Sequence, residues 1–142
     1  MCGIVGIIGP PDAEIAQEML RRISHRGTDD RQWRPFDRFG GLGFNRLSII
    51  DLERGDQPLF SEDGSLALVC NGEVYNHAAI RRDLRSDHTF ATGSDAEVIL
   101  HLYEEYGDDA VKFLDGMFAF ILLDLRRGRV IFGRDPLGIK PL

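Results

Sequence analysis

The chain reads as an α+β domain built on antiparallel sheets. Three observations predict this class. Helical periodicity falls between groups of strands without regular strand–helix alternation, which disfavours a doubly wound parallel sheet. Apolar runs short enough to be strands stop at glycine and proline signals. Two of the turns, Asp63-Gly64 and Arg127-Gly128, stand where hairpins need them. At 142 residues, 43% hydrophobic and 28% charged, the chain suits one soluble globular domain with its own core.

Each element has a local reason. Ile4–Ile8 is a short β-branched run closed by Gly9-Pro10-Pro11, as a buried strand would be. Asp12 can cap a helix reaching about Ile23, with Ile15, Met19 and Ile23 as its apolar stripe. Ser24–Arg31 is polar and turn-like, and Trp33 and Phe36 suggest a short strand. Gly41–Ile50 reads as strand then loop, Asp51–Pro58 as loop, and Ser65–Cys70 as the strand behind the Asp63-Gly64 turn. Asn76–Leu84 has helical spacing at Ile80 and Leu84, and Phe90 would end a short strand. The strongest helix is Asp95–Tyr106. Ser94 and Glu97 are spaced as a capping box. Val98, Ile99, Leu102 and Tyr103 form its apolar face, and Gly107 stops it. A short helix near Asp109–Phe113 precedes strands Met117–Leu123 and Arg129–Phe132.

Composition excludes some functions. The net charge of −6 argues against nucleic acid or an anionic membrane as partner. Cys2 and Cys70 make neither a disulfide framework nor a zinc knuckle, which fits a reducing cytoplasm. Ile4–Ile8 is too short for a signal peptide or a membrane span. His25, His77, His88 and His101 show no metal-ligand spacing, so no metal is expected.

The chemistry centres on Cys2. Methionine is commonly trimmed before so small a residue, which would leave a thiol and a free α-amine on one residue. Their ordinary pKa values, about 8.5 and about 7.7–8.0, lie close enough for proton exchange without a histidine. An N-terminal amine is a known activator of such nucleophiles. Met-Cys-Gly alone fits a small apolar residue opening a strand better; the remaining motifs change that balance.

Those motifs are Met1-Cys2-Gly3-Ile4, His25-Arg26-Gly27 followed by Asp29, Asn45-Arg46-Leu47-Ser48-Ile49-Ile50-Asp51 and Gln57-Pro58-Leu59. In the second half they are Asn71-Gly72-Glu73-Val74-Tyr75-Asn76, Thr92-Gly93-Ser94-Asp95-Ala96-Glu97, Gly116-Met117-Phe118-Ala119-Phe120 and Arg134-Asp135-Pro136-Leu137-Gly138-Ile139-Lys140-Pro141-Leu142. In this order they resemble the class II glutamine amidotransferases, the N-terminal-nucleophile glutaminase domains. The nearest likeness is to the glutaminase part of glutamine-hydrolysing asparagine synthetases. The resemblance implies a four-layer αββα sandwich over residues 1–142. It also implies hydrolysis of L-glutamine to glutamate and ammonia through a Cys2 thioester.

The resemblance implies roles residue by residue. Cys2 is the nucleophile. Asn71 and Gly72 supply oxyanion donors, and the apolar strand up to Cys70 would deliver them to a strand end; an Asn-Gly hairpin turn is the bland alternative. Arg46 offers a planar fork to the glutamine α-carboxylate, against the alternative of a surface ion pair. Leu47, Ser48, Ile49 and Ile50 line the site with backbone groups, and Glu73 lies beside the substrate. Asp95 takes the α-ammonium, beside its simpler role at a helix start. Cys70 is expected to be buried and unreactive, and Arg134-Asp135 to order a loop.

The chain departs from the family in two places. Thr28 stands where many relatives have proline, which loosens that turn. The family continues past Leu142 with more glutaminase strands and a synthetase domain that receives ammonia and uses ATP and Mg. The expectation is therefore a C-terminally incomplete glutaminase domain with no cofactor of its own. Gly40-Gly41-Leu42-Gly43 lacks the flanking serine and aspartate of the family's ATP loop. Aspartate is the implied ammonia acceptor, in asparagine biosynthesis, with sugar or phosphoribosyl acceptors as alternatives. A homodimer is left open. Two other readings compete: a non-catalytic glutamine-sensing module, and a different N-terminal-nucleophile peptidase or amidase.

Overall fold

A computed structural model of the chain describes residues 1–48, 55–84 and 86–142. The expected site residues Ile49 and Ile50 lie outside the described residues, as do the first residues of the loop expected at Asp51–Pro58. The strands are β1 (Gly3–Ile8), β2 (Asp30–Phe36), β3 (Gly40–Arg46), β4 (Leu59–Phe60), β5 (Leu66–Val74), β6 (Gly116–Asp124) and β7 (Arg129–Arg134). The helices are α1 (Ala13–Arg22), α2 (His77–Leu84) and α3 (Val98–Tyr106). Single turns of 3-10 helix at Ser24–Arg26, Asp37–Phe39 and Asp95–Glu97, and a longer one at Gly107–Phe113, join them.

Two antiparallel sheets result, ordered β1-β3-β2 and β4-β5-β6-β7. Strand alternation explains the layers. On β5, Ala67 and Val69 join Leu42, Phe44, Ile121 and Leu123 in a cluster between the sheets. Leu66, Leu68 and Cys70 point the other way, into a core shared with Ile80, Leu84, Val98, Ile99 and Leu102 of α2 and α3. Helix α1 packs on β1, β2 and β3. The layers therefore run α1, sheet, sheet, α2 with α3: the αββα arrangement.

Several expectations need correction. Asp12 caps α1 as predicted, accepting from the Ile15 amide at 3.0 Å. The buried stripe, however, is Ala16 and Leu20, while Ile15 and Met19 are 54% and 38% exposed. The four-residue spacing is right but turned by one residue. The helix settles over Gly43, where a Cβ would stand 3.1 Å from Leu20 Cδ1. The Ser94–Glu97 capping box does not form: Ser94 makes no side-chain cap bond. Glu97 reaches back instead to the Ala91 and Thr92 amides at 2.6 and 2.9 Å, and the helix opens with a 3-10 turn before α3. Phe90 lies in irregular chain rather than a strand, with the Arg81 guanidinium 4.2 Å from its ring centroid. The two-residue strand β4 carries too little pattern to be legible.

The correction that matters most concerns β5, which continues through Asn71 and Gly72 to Val74. Asn71-Gly72 is neither a hairpin turn nor a strand end. It pairs with Ala119 and Phe118 inside the sheet. The close approach needs glycine, since a Cβ at residue 72 would lie 2.0 Å from the Met117 carbonyl oxygen, with φ at +154°. Gly107 ends α3 at φ +57° as expected, its N–H bonding Tyr103 O. Asp135 orders the chain end by accepting from the Ile139 and Lys140 amides at 2.9 and 3.1 Å.

Candidate active site

Strand register brings Cys2 to the site. Gly3 pairs with Asn45 at the end of β1 and β3, so Cys2 comes level with Arg46. Its sulfur lies 3.5 Å from the Leu47 amide nitrogen and 3.6 Å from the Leu47 carbonyl. The Leu47 amide and carbonyl together hold the sulfur at one place on the pocket wall. Arg26 Nε donates to the Cys2 carbonyl at 3.2 Å, fixing the backbone behind the thiol. Met1 precedes it, half-exposed, its sulfur 3.4 Å from Lys140 Nζ.

The turn with Thr28 is tied down on both sides of that residue. The Gly27 amide donates to Ser24 O at 3.3 Å and the Asp29 amide to Arg46 O at 3.0 Å. Asp29 Oδ2 accepts from the Ser48 amide at 2.7 Å. A Cβ at Gly27 would meet Asn45 O at 2.3 Å, so this glycine lets the turn lie against β3. The turn is ordered by its neighbours and needs no proline.

The second wall is the free edge of β5. In an antiparallel ladder, alternate residues send both backbone groups to the same side. Leu66 bonds Ser61 on the β4 side, with the Ser61 amide donating to Leu66 O at 3.2 Å. Cys70 points the same way, but β4 begins only at Leu59, and Pro58 has no N–H to give. The Gln57 side chain fills the gap. Its Oε1 accepts from Cys70 N at 2.6 Å and its Nε2 donates to Cys70 O at 3.2 Å, as a strand residue's peptide groups would. Four residues on, Val74 N donates to Asp95 Oδ2 at 2.6 Å. Gly72 lies between these anchored positions, so by alternation its N–H faces the same edge, where no strand among the described residues covers it. The Asn71 side chain falls on the face of Ala67 and Val69, between the sheets, and is 3% exposed.

Asp95 is carried by a braced loop. Glu97 holds Ala91 and Thr92 as described and also accepts from Thr92 Oγ1 at 2.7 Å. Arg81 of α2 donates to the carbonyls of Thr92 and Ser94 at 2.8 and 2.9 Å. Asp95 is itself buried. Its bond to Val74 uses one carboxylate oxygen of two.

These walls enclose one pocket lined by Cys2, Phe44, Arg46, Leu47, Gly55, Gln57, Cys70, Gly72, Glu73, Ser94, Asp95 and Ala96. Its outer part is open to solvent. Of the residues singled out from sequence, Cys2, Arg46, Leu47, Gly72, Glu73 and Asp95 meet there. Asn71 lies immediately behind, between Cys70 and Gly72. The Ser48 amide is committed to Asp29, and Ser48 does not line the pocket. Arg46 is nearly buried and holds Asp56 through Nη1 at 2.6 Å, so part of its fork is engaged within the chain. The pocket thus combines a nucleophile, an uncovered backbone donor, a guanidinium and a carboxylate.

Sequence reasoning missed Gln57, Arg81 and the true partners of Glu97. Gln57-Pro58-Leu59 was a visible string, but nothing in it says that its side chain stands in for a strand. Among the described residues, no helix is long and apolar enough to cross a membrane.

Comparison with known proteins gives the family and supports the fold. The chain matches the family described as glutamine amidotransferase domain over residues 1–142. It is 48% identical, across its whole length, to the glutamine-hydrolysing asparagine synthetase of Asparagus officinalis, and equally to asparagine synthetase 3 of Arabidopsis thaliana. In each case it spans 25% of the relative, a quarter of the length. Among solved structures, glutamine phosphoribosylpyrophosphate amidotransferase of B. subtilis superposes with a TM-score of 0.78 at 22% identity, covering 99% of this chain and 38% of that one. That likeness supports the fold. On the match across its full length, the chain belongs to the glutamine amidotransferase domain family.

Proposed function

We propose that this chain hydrolyses glutamine to glutamate and ammonia, with Cys2 as nucleophile. The observation that carries the reading is the Cys2 sulfur against the Leu47 amide, in a pocket also lined by Arg46, Gly72 and Asp95. After removal of Met1, the Cys2 α-amine takes the thiol proton. The sulfur attacks the side-chain amide carbon of glutamine, and the carbonyl oxygen becomes an oxyanion received by the Asn71 amide and the Gly72 N–H. The C–N bond breaks, the nitrogen leaves as ammonia with the proton from the amine, and water then hydrolyses the thioester. Arg46 and Asp95 select a free amino acid by its α-carboxylate and α-ammonium, with Leu47 and Glu73 at the rim. This route uses no cofactor.

The ammonia goes to aspartate, in a synthetase domain or partner that binds ATP and Mg. The names of the two plant relatives support this acceptor. The test is glutamine-dependent ammonia release by the native chain and by Cys2→Ala, with intact mass reporting loss of Met1. The native chain should release ammonia and the variant none above background. Equal rates in both would reject the mechanism, and glutamine binding without turnover in the trimmed native chain would make it a sensing module.

A further inference from the structure

Across the outer face of the larger sheet, well separated in sequence, Glu62, His88 and His101 each bring one potential ligand atom within 4.8 Å of the others. Glu62 belongs to the loop between β4 and β5, His88 to the segment after α2, and His101 to α3. We infer that these three side chains form a binding site for one divalent transition-metal ion, of which zinc best fits two imidazoles and a carboxylate.

The His101 ring carries the argument. It is fully buried, and its Nε2 has no hydrogen-bond partner. Its Nδ1 lies 2.9 Å from Glu104 Oε2. A carboxylate only accepts, so Nδ1 carries a proton, and Nε2 is the nitrogen left to face an ion. A carboxylate holding the far nitrogen is how metal-binding histidines are oriented. The bland alternative is an imidazolium shared by Glu97 and Glu104. That would require Nε2 to donate to Glu97, but Glu97 Oε1 stands 3.9 Å away and is occupied by the Ala91 amide. His88 is stacked on His101 with ring centroids 4.7 Å apart, and Glu105 holds its Nε2 at 3.0 Å. Glu62, Glu97, Glu104 and Glu105 surround the histidines with carboxylates; among the described residues Glu97 also lies 3.6 Å from the Arg81 guanidinium.

A tetrahedral zinc site with bonds of about 2.0–2.1 Å has ligand atoms about 3.4 Å apart. Closing from 4.8 Å to that spacing takes a rotation of the exposed Glu62 side chain and a small shift of His88, which lies in irregular chain, toward the buried His101. Glu62 already accepts from the Thr89 amide. An ion here would clamp the Ser86–Thr92 segment, which leads directly into the loop carrying Asp95. The site is separate from the pocket that holds Cys2.

The test is titration of the chelator-treated chain with Zn²⁺ against a chromophoric competitor, repeated for Glu62→Gln, His88→Gln and His101→Gln. One equivalent should bind, with affinity at least tenfold weaker in Glu62→Gln and His88→Gln, and the thermal midpoint should rise with Zn²⁺ only in the parent. Co²⁺ should give visible d–d bands without a thiolate charge-transfer band. His101 is buried and its variant risks misfolding, so Glu62→Gln and His88→Gln, checked by circular dichroism, decide the matter. No binding, undiminished binding in those two variants, or a thiolate band assigning the ion to Cys2 would each overturn the proposal.

Discussion

Replacing Gln57 by alanine tests the idea that a side chain stands in for a missing strand. In the native chain the Gln57 amide satisfies both backbone groups of Cys70, and Gln57 is 7% exposed. Alanine leaves a buried N–H and a buried C=O without partners. Each such loss costs about 1–3 kcal/mol, so the pair costs roughly 2–6 kcal/mol. Gln57 borders the pocket, and water entering there would restore part of this, giving an expected loss of about 2–4 kcal/mol. Gln57→Leu keeps most of the volume and should lose nearly as much, which separates orphaned polar groups from a cavity. The assay is urea unfolding followed by Trp33 fluorescence, with slope as well as midpoint compared. Because Cys70 precedes Asn71 and Gly72, a displaced edge should also lower kcat for glutamine by up to about 10²-fold. Stability within about 0.5 kcal/mol of the parent in both variants would refute the reasoning.

Three further outcomes follow from the same geometry. Gly72→Ala places a methyl 2.0 Å from Met117 O between paired strands; it should destabilise the chain by about 3–5 kcal/mol by urea unfolding. Arg46→Lys keeps the charge but loses the fork, and should raise KM for glutamine roughly 10–100-fold while kcat changes less, as steady-state kinetics would show. Burial raises the Asp124 carboxyl, but the Arg127 amide at 2.9 Å, Tyr103 Oη at 3.1 Å and the Arg127 guanidinium at 3.2 Å outweigh it and hold its pKa below the ordinary value of 3.8. A depressed folded pKa gives stability that is present above the unfolded value and lost as pH falls through the folded one. Asp124→Asn should therefore be about 1–3 kcal/mol less stable at pH 7, with the gap to the parent closing below about pH 4.

Local signals with one physical meaning were legible in the sequence. The Asp12 cap, the Gly107 stop and the apolar face of α3 depend on neighbours a turn away, and each is where the pattern puts it. Cys2, Arg46 and Asp95, which the family resemblance singled out, do line one pocket. What depends on another element was not legible. Periodicity cannot tell Ile15 and Met19 from Ala16 and Leu20 without knowing that Gly43 receives the helix. The Ser94–Glu97 spacing is the same whether Glu97 caps its own helix or bridges to Thr92. Asn71-Gly72 has the composition of a turn, and only the close approach of Met117 shows that the glycine serves a continuous strand. The histidines look scattered along the chain, yet His88 and His101 stack.

The second thiol has a practical consequence. Cys70 is buried, and burial, followed by the negative charge of Asp95 and of Cys2, pushes its thiol far above its usual range. At neutral pH it stays protonated and so a poor nucleophile, although it borders the same pocket as Cys2. An electrophile shaped like glutamine would then count competent molecules one for one, so rates could be expressed per working site with no cysteine engineered away.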